Sequence, residues 1–125
     1  MPSSQPAALI VEDQPFVGLV ASDILEEAGF QTAYAYDAAE ALDILAGRPE
    51  IQVVVTEANL PGSINGVELA RRVAAERPHA RVVLTTAGSE EIPAGLPPSI
   101  RALRKPYASA ELRALASDMA QLESA

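Results

Sequence analysis

The sequence predicts an α/β fold: a doubly wound sheet of five parallel strands with helices on both faces, its fourth helix short or absent. Three observations predict it. Short β-branched, apolar runs recur five times without polar alternation, the pattern of strands covered on both faces. Segments with apolar residues at helical spacing separate them, and such an alternating order gives a parallel sheet joined by right-handed crossovers. Polar residues then stand where the strands stop: Glu12 and Asp13, Glu57, Thr86 and Lys105. In a parallel sheet those ends share one edge, where ligands and chemistry sit.

Taken in order, residues 1–6 read as a frayed, flexible terminus ahead of a single domain spanning residues 7–125. Ala7 to Val11 is the first strand. Phe16, Val20, Ile24 and Ala28, with Val17 and Leu25 beside them, mark the inner face of a helix that Asp13 caps and Gly29 stops. Gln31 to Tyr36 is the second strand, and Asp37-Ala-Ala-Glu40 is an acidic capping box opening a helix that ends at Gly47. Ile51 to Glu57 is the third strand. An Asn-Leu-Pro-Gly turn leads to a helix from about Asn65 to Glu76, with Val67, Ala70, Val73 and Ala74 inward and Arg77-Pro78 closing it. Arg81 to Thr86 is the fourth strand. Between Ala87 and Ser99, Pro93, Pro97 and Pro98 allow at most one helical turn. Ile100 to Arg104 is the fifth strand, and Ser109 caps a last helix with Leu112, Leu115, Met119 and Leu122 inward. The ending at Leu122 to Ala125 reads as the close of a complete protein.

Composition narrows the class. The 125 residues suffice for one core, and 49% are hydrophobic, which opposes disorder. Cysteine is absent, so disulfides and thiolate metal sites are excluded, consistent with a reducing cytosol. No signal peptide or membrane-length run is present, so a soluble cytoplasmic protein is expected. A formal charge of -8 opposes binding to nucleic acid or to anionic membranes and directs attention to protein partners. Of nine basic residues eight are arginine; the one lysine, Lys105, directly precedes Pro106.

Alone, Asp13 reads as a helix cap, Glu12 as a solvated strand end and Thr85 and Thr86 as ordinary strand residues. Together the strand ends suggest a site. Three carboxylates in one place repel unless a cation sits among them, and oxygen-rich clusters with open positions suit Mg²⁺. Lys105 adds a compact point charge suited to one phosphate or carboxylate oxygen. Thr86 is preferred to Thr85 because it is last before the Ala-Gly turn. Tyr107 reads as half-buried packing, His79 as exposed, and Arg71 and Arg72 as a solvated helix face.

The stretches A-L-I-V-E-D, V-V-V-T-E-A-N-L-P-G-S-I-N-G-V-E-L-A, V-V-L-T-T-A-G and R-K-P-Y resemble the receiver domain of bacterial two-component response regulators over nearly the whole chain. The resemblance implies the flavodoxin-like receiver fold and a two-component switch, not an enzyme. It also implies a histidine kinase or histidine phosphotransfer protein as one partner and a downstream protein as another. By it, Glu12 and Asp13 match the acidic pair that holds Mg²⁺, Asn59 the carbonyl donor, Thr86 the hydroxyl and Lys105 the phosphate-contacting lysine. Pro106 matches a proline usually cis.

Two departures matter. Glu57 stands at the phosphoacceptor position, where the family has aspartate. The extra methylene moves the carboxylate by roughly 1 to 1.5 Å, a displacement that can cost about a hundredfold in an oriented reaction. Phosphorylation is therefore expected to be slow or absent, with Glu57 reaching toward Lys105 and Thr86 as a partial phosphomimetic and weak Mg²⁺ binding by Glu12, Asp13, Glu57 and Asn59. Ala102 occupies the usual switch-aromatic position, so switching is expected to use the segment from Gly88 to Pro98. The alternatives are a small Mg²⁺-dependent phosphohydrolase, a receiver fragment of a larger hybrid kinase, and a nucleotide or flavin binder. Against the hydrolase, Asn59 stands where a second acid is needed. Against the binder, Glu12-Asp13-Gln14-Pro15 would repel a phosphate.

Overall fold

Strands β1 (Ala7–Val11), β2 (Gln31–Ala35), β3 (Ile51–Glu57), β4 (Arg81–Thr86) and β5 (Ile100–Arg104) pair in parallel in the order β2-β1-β3-β4-β5. The computed structural model describes residues 5–88 and 90–124, with side chains as far as residue 120. Residues 1–4 of the expected flexible terminus and the inward-facing Leu122 lie outside what is described. Pro6, placed in that terminus by the sequence, accepts a hydrogen bond of 2.8 Å from the Gln31 N–H and so continues the β1–β2 edge.

The sheet is covered on both faces. Helices α1 (Pro15–Glu27) and α4 (Ser109–Ser124) pack on one, where Ala8, Ile10, Val53, Val55 and Val83 meet Leu25, Leu112 and Met119. Helices α2 (Ala38–Gly47) and α3 (Gly66–Glu76) cover the other, where Leu9, Val11, Val54 and Leu84 meet Leu45, Leu69 and Val73. Strand alternation thus divides the core in two, and every residue of β1 is buried. Among the described residues no helix lies between β4 and β5. Their connection is a turn-rich loop held by Arg104, whose guanidinium donates to the Gly88 and Glu90 carbonyls at 3.2 and 2.6 Å. No described helix is long and apolar enough to cross a membrane.

Local chemistry explains most element ends. The Asp37 side chain accepts from the Glu40 N–H at 2.9 Å while Glu40 reaches back past the cap residue to accept from the Tyr36 N–H at 2.7 Å, a capping box shifted by one residue on its second bond. Asn65 caps α3 through the Glu68 N–H at 2.9 Å. Gly29 stops α1 with a φ of 100°, a conformation that favours glycine. The Arg77 guanidinium donates to the carbonyls of Leu45, Arg48 and Ile51 at 2.7, 3.1 and 3.2 Å, tying the end of α3 to the α2–β3 junction.

Three local expectations are corrected and a fourth is extended. Asp13 does not cap α1: Gln14 holds the cap position, without a side-chain hydrogen bond, and Pro15 begins the helix. The inner face of α1 is Gly18, Ala21, Ile24 and Leu25, whereas Phe16 is 76% exposed and Val20 is exposed. Small residues set this phase because they let the helix approach the sheet closely. Ser109 is the first residue of α4, and the turn is instead closed by the Glu111 carboxylate accepting from the Ala108 N–H at 2.7 Å. In α3, Val67, Ala70, Val73 and Ala74 pack on the core as expected, and fully buried Leu69 joins them.

Candidate functional site

The carboxyl edge of the sheet is assembled by strand register. Glu57 ends β3 on the same face as Val53 and Val55 and lies opposite Thr85 of β4. The Thr85 hydroxyl is 3.3 Å from Glu57 Oε2 and 3.4 Å from the Thr56 carbonyl, to which it can donate. Thr86 points to the other face: its side chain is buried, and its hydroxyl has no hydrogen-bond partner among the described residues. The threonine brought to Glu57 is therefore Thr85, not the expected Thr86. The two-residue period of the strand decides this, where position before the turn had been the guide.

Lys105 follows β5. Its N–H donates to the Thr86 carbonyl at 2.7 Å, and its bond to Pro106 is cis, as the resemblance implied. Its Nζ lies 3.2 Å from Glu12 Oε1 and 3.3 Å from Glu57 Oε2, bridging two carboxylates from different strands. Burial pushes the Glu12 carboxyl above its ordinary value, against the lowering effect of Lys105. For Lys105, burial favours the neutral amine, but the charges of Glu12 and Glu57 outweigh it and raise the ammonium above its usual range. Both directions fit a partly enclosed pair sharing one cation.

The β1–α1 turn carrying Glu12 is tied down from several sides. The Glu12 N–H donates to the Ala35 carbonyl at 3.0 Å, its Oε2 accepts from the Gln14 N–H at 3.2 Å, and the Tyr34 hydroxyl donates to its carbonyl. On the opposite side of Glu57, the β3–α3 loop folds back so tightly that a Cβ on Gly66 would lie 1.7 Å from the Glu57 carbonyl oxygen. Glycine is required there for close approach.

The expected metal ligands are not gathered into one cage. Glu12 and Glu57 converge on Lys105, Asp13 is half-buried on the turn and Asn59 is exposed. Among the described residues no three acidic, histidine or cysteine side chains are grouped to hold a metal ion. The donors are nonetheless hard oxygens at an open edge, which suit a Mg²⁺ ion that takes one or two carboxylates and keeps several waters.

Two features escaped the sequence reading. One is Tyr34, whose position within T-A-Y-A gave no hint that its hydroxyl reaches the site. The other is an apolar groove of about 580 Å³ beside Lys105, with Phe16, Val17 and Val20 on one wall and Pro106 and Tyr107 on the other. Its signal was an apolar stripe on α1 too wide for one buried face.

Comparison with known proteins agrees with this geometry. The family described as response regulator receiver domain matches residues 8–117. Sporulation initiation phosphotransferase F of Bacillus subtilis (strain 168) is 31% identical over 83 residues, covering 66% of this chain. The match spans 64% of that relative's length. The signal receiver domain of an HD domain-containing protein from Pseudomonas fluorescens Pf-5 superposes with a TM-score of 0.85 at 26% identity, covering 96% of this chain and 98% of that one. A sensor protein from Polaromonas sp. JS666 gives 0.83 at 26% identity, over 94% and 98%. With its β2-β1-β3-β4-β5 sheet, acidic edge and lysine before a cis-proline, the chain belongs to the response regulator receiver domain family, the signalling modules of two-component phosphorelays.

Proposed function

We propose that this receiver is a phosphorylation-impaired switch, with Glu57 at the phosphoacceptor position acting as a partial phosphomimetic and the output made through protein contacts. The observation that carries this reading is the hold on Glu57: Oε2 lies 3.3 Å from both the Lys105 ammonium and the Thr85 hydroxyl. A hydroxyl and an ammonium converging on one anionic oxygen are what a phosphoryl group would also meet. The longer side chain fills that position and misplaces its own oxygen for attack on an incoming phosphoryl group.

Receiver domains interact with histidine kinases or histidine phosphotransfer proteins, and the groove between α1 and the cis-Pro106 turn supports such a partner here. It is apolar, adjoins Lys105 and is edged by the exposed Phe16, so a partner helix carrying a histidine would have a surface next to Glu57. The downstream protein contact is proposed on the loop of residues 88–98, which stands in place of a helix and leads into β5. Any Mg²⁺ would be held weakly by Glu12, Asp13, Glu57 and the Asn59 carbonyl, with waters completing its shell. When bound, it supplies positive charge against a transferring phosphoryl group.

The test is intact mass after incubation with a small phosphodonor and Mg²⁺, on this chain and on Glu57→Asp. The expected result is a base-labile phosphoryl adduct on the aspartate variant alone. An equal adduct on both would overturn the impairment, and none on either would show that the pocket has lost more than its aspartate. Binding of the partner by the two forms without phosphodonor tests the mimic: equal affinity counts against it.

A further inference from the structure

Strand β2 turns an unusually polar face toward α1. Thr32 and Tyr34 alternate with Ala33 and Ala35, and Tyr34 pairs with Ile10, whose side faces α1 and α4. Thr32 shares its hydroxyl with Ser22 and Glu26 of α1. Tyr34 instead crosses the start of the helix. Its ring lies against Gly18, where an added Cβ would come within 2.4 Å of the ring edge, and its hydroxyl donates to the Glu12 carbonyl. The neighbouring Ala35 carbonyl accepts the Glu12 N–H, so one edge strand grips both polar atoms of the residue 12 backbone.

This grip matters because, beside it, the turn is held by the Gln14 N–H on Glu12 Oε2 at 3.2 Å and by no helix cap. Asp13 makes no cap, α1 begins at Pro15 without a side-chain cap, and the Glu12 carboxylate is pulled the other way by Lys105. We infer that Tyr34 is a positioning residue for the acidic edge: its hydroxyl fixes the Glu12–Asp13 turn so that Glu12 meets Lys105 and Asp13 faces the open edge. Gly18 is the complement that lets the ring pass. The part of this inference that concerns metal binding rests on the proposed function; the part that concerns the Glu12–Lys105 pair does not.

Lys105 is the only lysine, which makes the test direct. The acylation rate at Lys105 by an N-hydroxysuccinimide ester, followed by peptide mass spectrometry, is compared between the parent chain, Tyr34→Phe and Ser22→Ala. Phenylalanine keeps the ring on Gly18 and removes only the hydroxyl. Ser22→Ala disturbs the α1–β2 interface without touching Glu12. The expected result is a several-fold faster acylation in Tyr34→Phe alone, with thermal midpoints of all three forms close together. Unchanged acylation in Tyr34→Phe overturns the inference, as does an equal rise in Ser22→Ala, which would mean general loosening.

Mn²⁺ binding followed by electron paramagnetic resonance extends the test. Loss of an outer hydrogen bond of this kind weakens metal affinity by on the order of tenfold, and that loss is expected for Tyr34→Phe. If the parent binds no Mn²⁺ while acylation still rises, the positioning role stands and the Mg²⁺ part of the proposed function falls.

Discussion

Glu12 is the residue whose environment makes the sharpest demand. Its carboxyl is held above the ordinary value by burial, with Lys105 opposing. In the window from the ordinary glutamate value up to the raised one, the folded chain therefore binds more protons than the unfolded chain. Stability falls as pH rises through that window. Replacing Glu12 by Gln removes this dependence and leaves Lys105 paired with Glu57. Urea midpoints of the two forms are expected to converge at acid pH, with the parent dropping below Glu12→Gln as pH rises toward neutrality; parallel curves would sink the prediction. At this scale the acidic edge was legible, because Glu12, Glu57 and Lys105 each end a strand and topology alone brings such ends together. Which threonine meets Glu57 was not read, although the information was present: it is Thr85. Val55 and Val83 lie on one face, so Glu57 and Thr85 must as well, and Thr86 falls on the other. Tyr34 was illegible for a different reason: a hydroxyl that reaches from an edge strand to a turn depends on the distance between two elements, which no local pattern contains.

Among the elements, helix α1 shows where periodicity misleads. Phe16, Val20, Ile24 and Leu25 all suit a helix, but Gly18 and Ala21 choose which side meets the sheet because they permit closer packing. The displaced apolar residues then line the groove beside Lys105. Elements with explicit chemical ends were easier to place: Asp37, Asn65 and Gly29 put their boundaries within a residue of expectation, since a cap or a left-handed residue is encoded locally. Arg77 was expected only to close α3. Its three hydrogen bonds to carbonyls on the α2–β3 junction make it a fastener between two crossovers. Truncating it leaves those partly buried carbonyls without their charged donor. Arg77→Ala is expected to cost about 2–3 kcal/mol, since hydrogen bonds to charged groups are worth about 1.5–3 kcal/mol each and water replaces part of that. Lysine, which lacks the fork, should recover only part of the loss. Equilibrium urea unfolding of the two variants checks this, and a change within about 0.5 kcal/mol for alanine would place Arg77 among ordinary surface residues.

At the level of the whole molecule, stability is distributed unevenly across the sheet, and the order of strands says how. β1, β3 and β4 each pair on both sides and are almost wholly buried. β2 and β5 are edges with mixed exposure. β5 has a further weakness: the connection that precedes it contains three prolines and no helix among its described residues, so the α2–α3 face of the sheet near β5 lacks a long apolar cover. This corner is fastened by Leu96, Ile100 and Leu103 and, on its exposed side, by Arg104 on the Gly88 and Glu90 carbonyls. Opening residues 87–99 together with β5 exposes Leu96, Ile100, Leu103 and one edge of β4, a smaller apolar surface than opening β3, which exposes both halves of the core at the middle of the sheet. Native-state hydrogen exchange should report two levels. Amides of β1, β3 and β4 are expected to exchange only through global unfolding, and those of β5 through a sub-global opening lower by at least about 2 kcal/mol. Because Lys105 follows β5 directly, that opening also withdraws the ammonium from Glu12 and Glu57. Protection of β5 should consequently fall further in Glu57→Gln, which removes one of the two carboxylates holding Lys105, while the levels in β1 and β3 move only by the change in global stability. Equal protection across all five strands in the parent would show instead that the sheet opens as one unit and that the helix-free corner is no weaker than the rest.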